Sequence, residues 1–208
     1  MIEVIDNFIP QHYQDNIEEV LSAVNFPWHY RPSINNGKPK IHDERFKYAH
    51  GFVHNFFNDE EGPTSTFYST VSTLRYFAEK HGFDNNGYHR LKANLNVQIP
   101  GWQDGQCQEP HTDMPSDHMV LIYYVNDTDG DTFIFDRKFD PMDPNPGQFD
   151  LKQRVAPKKG RALLFDGNYY HAGSYPIQNR HRIMLNANLI TASLSTHINT
   201  AHDRPRTI

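Results

Sequence analysis

Met119-Val-Leu-Ile-Tyr-Tyr-Val125 is the longest strongly apolar run in the chain. Seven residues are too few to cross a membrane, but they are enough for a buried β-strand, which Val, Ile and Tyr favour. Further short strands are predicted around it, separated by turn sequences rich in Asp, Asn, Gly and Pro. They are Leu95–Ile99, Thr132–Phe135, Phe149–Val155, Arg161–Phe165 and Arg182–Ile190. Strands this short and regularly spaced predict a β-sandwich or a barrel.

The residues before this β-rich region favour helices. From Tyr13 to Val24 apolar residues recur at helical spacing, and a second helical pattern runs from Thr64 to Lys80. Residues 28–62 are rich in Pro, Asn, Gly and His and are predicted to be irregular surface. We expect one domain over residues 1–208. Its expected parts are a helical N-terminal support region over 1–90, a β-rich core over 91–190 and a polar tail over 191–208.

The composition restricts the class of protein. Hydrophobic residues make up 37% and aromatic residues 13% of the 208 residues, which suits a β-rich globular domain. A net charge of −5 argues against general nucleic-acid binding, which requires a basic face. The N-terminus lacks the basic start of a signal peptide, and Cys107 is the only cysteine, which fits a reducing compartment. We therefore expect a cytoplasmic protein with no nucleic-acid or membrane partner.

A His-x-Asp sequence, His111-Thr-Asp113, follows the predicted strand Leu95–Ile99. By itself it has little weight, because a chain with 13 histidines contains roughly one such match by chance. Residues i and i+2 of an extended segment point to the same side, so both side chains can bind one metal ion. His171, after a predicted strand and a turn, can supply a third ligand. Two His and one carboxylate with open coordination positions suit non-haem Fe(II).

Two arginines follow His171, and either can bind a carboxylate through its planar guanidinium. Arg180 lies nine residues after His171, in a turn, and Arg182 lies eleven residues after it. We favour Arg182, because it begins an alternation in which Met184 and two Asn share its strand face while apolar residues take the other face.

The stretch from residue 91 to residue 190 resembles the prolyl 4-hydroxylase-like branch of the Fe(II)/2-oxoglutarate oxygenases. Each matching piece is short, and their order along the chain carries the resemblance. The pieces are His111-Thr-Asp113, Leu121-Ile-Tyr-Tyr-Val-Asn126, Thr132-Phe-Ile-Phe135, Gly160-Arg-Ala-Leu-Leu-Phe-Asp166, His171-Ala-Gly173 and Arg182-Ile-Met-Leu-Asn-Ala-Asn188. The N-terminus, Val4-Ile-Asp-Asn-Phe-Ile-Pro10 followed by a helix, also looks like the start of that family.

This resemblance implies a mainly β fold with flanking helices, the double-stranded β-helix or cupin-like jelly roll. It implies Fe(II) held by His111, Asp113 and His171, with 2-oxoglutarate and O₂ as cosubstrates. It also assigns Arg182 and Tyr123 to the distal carboxylate of 2-oxoglutarate. For Tyr123, a core tyrosine with a satisfied hydroxyl is the alternative.

The reaction implied by the resemblance hydroxylates a C–H group and releases succinate and CO₂. The substrate is a peptide or a small molecule, and the family branch suggests a peptidyl proline, by analogy of fold. Two other functions stay open on the residues alone. One is a cupin-like metal isomerase or dioxygenase that does not use 2-oxoglutarate. The other is a non-catalytic jelly-roll binding module.

Overall fold

The structure is a computed structural model, which describes residues 1–33, 46–47, 50–143 and 148–191. These residues form three short helices and thirteen strands. The helices are α1 (Gln11–Ser22), α2 (Tyr68–Val71) and α3 (Leu74–Lys80). The strands are β1 (Ile2–Ile5), β2 (His29–Arg31), β3 (Phe46–Lys47), β4 (Gly51–Asn58), β5 (Gly62–Pro63), β6 (Asn85–Val97), β7 (Cys107–Gln108), β8 (Met119–Tyr124), β9 (Thr132–Lys138), β10 (Leu151–Val155), β11 (Ala162–Asp166), β12 (Tyr169–Gly173) and β13 (His181–Thr191).

Most strands belong to one large sheet. Its order is β1-β11-β8-β13-β6-β4-β2, with β5 beside β4, and all its pairs are antiparallel. A second antiparallel sheet has the order β10-β9-β12, and β3 and β7 form a short parallel pair. The mainly β, jelly-roll class predicted from the sequence is confirmed.

The large sheet carries a hydrophobic core on each face. On one face it packs against the helices, where Ile17 and Leu21 of α1 and Leu74 of α3 are fully buried. On the other face it packs against the small sheet, to which Ile134 of β9 contributes. Strand β8 is buried between these two layers. A strand covered on both faces has apolar side chains on both faces, which explains why residues 119–125 form a continuous apolar run.

The first predicted helix is confirmed by α1, but the second prediction is wrong in its length. Residues 64–80 form α2 and α3 with a break between them. The hydroxyl of Tyr88 donates to the carbonyl of Ser72 at 3.0 Å and accepts from the amide of Arg75 at 2.8 Å. A side chain inserted into the hydrogen-bond ladder of a helix interrupts it.

The expectation of irregular surface over residues 28–62 is wrong for β2 and β4. Strand β4 pairs with β6 inside the large sheet, and its Phe56 is fully buried against the helices. Its His54 is buried too, bonded to the carbonyl of Pro27 at 3.0 Å and to the hydroxyl of Ser65 at 2.7 Å. Because β4 contains a polar residue that is buried with hydrogen-bond partners, the sequence does not show the apolar pattern that would predict this strand.

The first ninety residues therefore supply strands as well as helices, through β1, β2 and β4. The rest of the domain division stays a prediction. Residues 192–208, most of the expected tail, lie outside the described residues. Among the helices that the structure describes, none is long and apolar enough to cross a membrane.

Candidate metal centre

His111, Asp113 and His171 come together as predicted. One potential ligand atom from each side chain lies within 4.8 Å of the other two, and His171 Nε2 is 3.6 Å from Asp113 Oδ2. The two histidines form an isolated antiparallel bridge. The amide of His111 donates to the carbonyl of His171 at 3.0 Å, and the amide of His171 donates back at 2.9 Å. The main chain itself thus holds both imidazoles at one place.

Both imidazoles are oriented with Nε2 available to a metal. His111 Nδ1 is 3.1 Å from the carbonyl of Glu109, and His171 Nδ1 is 3.2 Å from the carbonyl of Tyr169. Because a carbonyl only accepts hydrogen bonds, each Nδ1 carries a proton, which leaves Nε2 as the nitrogen that can bind a metal. His171 Nε2 is buried and has no hydrogen-bond partner among the described residues. This is the orientation that metal-binding histidines adopt.

The protonation states also suit a divalent cation. Burial, together with repulsion from the neighbouring His171, lowers the pKa of His111 to about 4, so this imidazole is neutral at pH 7. Burial opposes the charge on Asp113, but the neighbouring His171, with Nε2 3.6 Å from Oδ2, and the nearby cations Lys92 and Arg90 hold the pKa of this carboxyl well below its usual value. A neutral imidazole and a carboxylate are the ligand forms that bind metal.

Three side chains orient the Asp113 carboxylate. Arg90 donates to Oδ1 at 2.7 Å, while Asn186 and Asn188 of β13 donate to Oδ2 at 3.2 Å and 3.0 Å. Asp113 is almost fully buried, with 3% of its side chain exposed. Such outer partners fix a ligating carboxylate before the metal arrives. The donor set and its protonation therefore fit an ion such as Fe(II).

The side chain of Arg182 is buried where β13 begins. Its Nη2 donates to the hydroxyl of Thr132 at 2.8 Å, and that hydroxyl also accepts from Tyr124 at 2.8 Å. Its Nε and Nη1 are buried and make no hydrogen bond to any described residue. A Cβ added to Gly173 would lie 3.3 Å from Nη1, so the guanidinium reaches the strand that carries His171. Arg180, the competing arginine, is exposed.

The assignment of Tyr123 to the distal carboxylate is wrong. Tyr123 faces the helices, within the same hydrophobic core as α1, and its charged neighbours are Glu18 and Asp15 of that helix. Successive residues of a strand point to opposite faces, so its neighbour Tyr124 faces the site instead. The ring of Tyr124 lies 5.5 Å from the guanidinium carbon of Arg182.

One cavity of about 450 Å³ connects these features. His111, Asp113 and His171 line it, and so do Thr132 and Gly173, which contact Arg182 or lie beside it. The guanidinium of Arg182 therefore lies directly behind two residues that line the same cavity as the metal triad. Its size lies in the lower part of the range for small-molecule sites, about 300–1,000 Å³.

Sequence reasoning missed several residues of this cavity. Thr132 and Tyr124 support Arg182, and Arg90 and Lys92 of β6 line the wall. The alternation of polar and apolar residues along β6 gave a signal for that strand, since Asn94 and its polar neighbours share one face. For Tyr124 the sequence held no signal, because both faces of β8 are apolar.

The fold of this chain is similar to the folds of several solved structures. No protein-family model and no curated protein matches the sequence. A 2OG-Fe(II) oxygenase family oxidoreductase from Burkholderia pseudomallei is similar with a TM-score of 0.62 and 12% identity, over 91% of this chain and 84% of that one. The non-heme alpha ketoglutarate dependent epimerase SnoN from nogalamycin biosynthesis has a TM-score of 0.62 and 13% identity, over 92% and 78%.

A third similar structure is a prolyl hydroxylase from Trichoplax adhaerens in complex with a hypoxia inducible factor peptide fragment. Its TM-score is 0.53 at 17% identity, over 91% of this chain and 83% of that one. At these identities the likeness establishes a shared fold. The function has to be argued from the residues of this chain.

Proposed function

We propose that this protein is an Fe(II)- and 2-oxoglutarate-dependent dioxygenase that hydroxylates a C–H group. His111, Asp113 and His171 would hold the iron, and Arg182 would bind the distal carboxylate of 2-oxoglutarate. When bound, iron with 2-oxoglutarate and O₂ supplies oxidation of a C–H bond, with release of succinate and CO₂. The resemblance of the sequence and the shared fold both support this reaction class.

The observation that carries the proposal is the state of Arg182. Arg182 is 1% exposed, and the hydrogen bond that its Nη2 donates within the described chain goes to the neutral hydroxyl of Thr132. A buried charge without a counter-charge is unfavourable by several kcal/mol, so an anionic ligand is expected to supply the partner. The unpartnered Nε and Nη1 can donate charge-assisted hydrogen bonds to the oxygens of such a carboxylate.

The protein residues have separate tasks in this reaction. The bridge between His111 and His171 holds the ligands, while Asn186 and Asn188 keep Asp113 aligned. Thr132 supports the guanidinium that anchors the cosubstrate at its far end. The closed packing between the two sheets excludes bulk water from that end of the cavity.

The substrate is the open part of the proposal. A peptidyl proline is the candidate that the resemblance suggests, and the peptide-bound prolyl hydroxylase from Trichoplax adhaerens makes it the first peptide to test. A small molecule is the other class, since SnoN is named as an epimerase from a biosynthetic route. A cytoplasmic location, and the absence of nucleic-acid and membrane partners, stay part of the proposal.

Binding of 2-oxoglutarate under anaerobic conditions tests the function. Fe(II) plus 2-oxoglutarate is expected to give a weak visible charge-transfer band, which His111→Ala and Asp113→Ala abolish. A matched control is His12→Ala, because His12 is an exposed histidine on α1 and should leave the band unchanged. A band that survives both ligand substitutions would remove these residues from the metal site. Iron binding without any effect of 2-oxoglutarate would favour the cupin-like alternative.

A further inference from the structure

A second polar region lines the cavity beside the metal triad. We call it the cationic wall and define it as Arg31 of β2, Asn55 of β4, and Arg90, Lys92, Asn94 and Asn96 of β6. The four β6 residues alternate with Leu91, Ala93 and Leu95, which pack on the helix side. The alternation along β6 thus presents a polar, cationic face to the cavity.

The register of the sheet places this wall next to the metal ligands. Lys92 lies between Asn55 on β4 and Asn186 on β13, and Arg90 pairs with Asn188. The two asparagines of β13 are those that bind Asp113. Arg90 itself donates to Asp113 at 2.7 Å, so the wall begins directly beside the metal ligands.

The same register separates the wall from the proposed cosubstrate site. Arg182 pairs with Asn96, which lies four residues from Lys92 along β6. At about 3.3 Å per residue, the backbone positions of Lys92 and Asn96 are roughly 13 Å apart. Lys92 is therefore a cation additional to Arg182, while Arg90 pairs with Asp113 through Nη2 and keeps its Nε without a partner among the described residues.

The charges that face the cavity are not balanced. Among the described residues that line it, Arg31, Arg90 and Lys92 are cationic and Asp113 alone is anionic. A bound divalent metal and a 2-oxoglutarate dianion cancel each other and leave this excess in place. Burial and repulsion from Arg90 lower the pKa of Lys92 to about 8, so at pH 7 it is still mostly charged.

Polar atoms of the wall are also without partners. Arg90 Nε and the side-chain oxygens of Asn94 and Asn96 are buried and make no hydrogen bond to any described residue. Buried polar groups are unfavourable by about 1–3 kcal/mol each when they stay unpaired. A ligand that carries both an acidic group and a hydrogen-bond donor would satisfy them.

We propose that the substrate is a small anionic molecule, whose carboxylate or phosphate group binds at Arg31, Arg90 and Lys92 while an adjacent C–H group faces the metal. This inference rests on the proposed function and names the substrate class for the same site. The cavity of about 450 Å³ must hold the cosubstrate as well, so the space left suits a metabolite of modest size.

Acetate is a suitable probe for carboxylate binding at the cationic wall. Sulfate, a tetrahedral dianion, is the competing probe and represents a phosphate group. The protein is loaded with Mn(II), which accepts N and O ligands and is paramagnetic, and is saturated with 2-oxoglutarate under anaerobic conditions. The proton relaxation rate of the acetate methyl group is then titrated at constant ionic strength. We expect a saturable enhancement that reports acetate bound near the metal. Preferential displacement by sulfate supports a phosphate-bearing substrate, and weak displacement supports a carboxylate.

Substitution of residues in the cationic wall tests whether the substrate is anionic. Lys92→Met should weaken apparent acetate binding at least fivefold, and Lys92→Arg should restore most of it. Lys80→Met is the matched control, because Lys80 is an exposed lysine at the end of α3 and its loss should have no effect. Arg31→Gln gives a second test at the exposed rim of the cavity, where folding is least affected.

The outcomes separate this inference from the proposed function. If acetate shows no saturable enhancement, or an equal one in Lys92→Met and Lys80→Met, the anionic substrate class is wrong while the iron and 2-oxoglutarate band still stands. If Lys92→Met abolishes the band itself, the lysine belongs to the cosubstrate site and the inference is overturned. If the wild-type protein gives no band, the proposed function has failed first.

Discussion

Replacement of Arg182 with Met should stabilise the ligand-free protein while it weakens cosubstrate binding. The substitution removes a buried charge and two donor nitrogens, Nε and Nη1, that have no partner among the described residues. It also removes one hydrogen bond to Thr132, whose hydroxyl keeps its bond from Tyr124. Met has a similar length and no polar donor, so it can fill the same space.

The magnitude follows from the balance of these changes. Each unpaired buried donor is unfavourable by about 1–3 kcal/mol, and the lost hydrogen bond to the charged group is worth about 1.5–3 kcal/mol. We expect a net gain of about 1–3 kcal/mol in the free energy of unfolding, since the desolvated charge is removed as well. For a domain of this size that is a rise in Tm of about 2–12 °C.

Cosubstrate affinity should change in the opposite direction. Loss of one partner of a buried charge pair is unfavourable by about 2–5 kcal/mol, which corresponds to a Kd for 2-oxoglutarate about 30-fold to several thousand-fold higher. Thermal unfolding of the metal-free protein measures the first effect, and titration of the charge-transfer band with Fe(II) present measures the second. Arg180→Met is the control, because Arg180 is exposed and should change neither.

Two results would refute this reasoning. A fall of more than about 2 °C in the Tm of the ligand-free Arg182→Met protein would make the guanidinium a structural element of the fold. A change in Kd of less than about fivefold would remove Arg182 from the cosubstrate site. The two measurements are independent, so either part of the argument can fail alone.

Further predictions concern the supports of the site. Tyr124→Phe removes a 2.8 Å hydrogen bond at the guanidinium end and should weaken 2-oxoglutarate binding about 2- to 10-fold in the same titration, whereas Tyr123→Phe should leave it unchanged. Asn188→Ala removes a 3.0 Å hydrogen bond to Asp113 and should lower metal affinity about 10- to 100-fold in a competition with a chelator of known affinity; an unchanged affinity contradicts this role. Burial opposes ionisation of Asp129, but hydrogen bonds from the backbone of residues 177–179 prevail and hold its pKa at about 2. A carboxyl with a depressed pKa stabilises the fold above about pH 4, and this stabilisation is lost as the pH falls towards 2. At pH 7 it is worth about 1 kcal/mol after solvent screening, so Asp129→Asn should lower Tm by about 2–4 °C. At pH 2.5 the same substitution should lower Tm much less.

The metal triad was predictable because its geometry is set by short-range rules. His111 and Asp113 are two residues apart in an extended segment, and His171 follows a strand that the turn chemistry already marked. The order of the neighbouring strands then turned a chance-level match into a specific prediction. Arg182 was predictable for the same reason, since β13 alternates clearly between polar and apolar residues.

Tyr123 and the cationic wall show where the sequence stops being informative. Strand β8 is apolar on both faces, so nothing in it distinguishes Tyr123 from Tyr124. The side that a β8 residue faces depends on which layer covers it, and that is a property of the whole fold. Likewise, the polar face of β6 was visible, but that it points into the cavity depends on pairing with β4 and β13.

The main-chain bridge between His111 and His171 affects which parts of the site can vary in sequence. It ties the segment after β7 to β12 by two amide hydrogen bonds, directly at the ligands. Residues 98–106, which connect β6 to β7, are exposed or half-buried apart from Trp102, so their length need not set the positions of the imidazoles. Loops of this kind tolerate insertion and replacement at small thermodynamic expense. That segment can therefore vary in length and sequence while His111 and His171 stay in register.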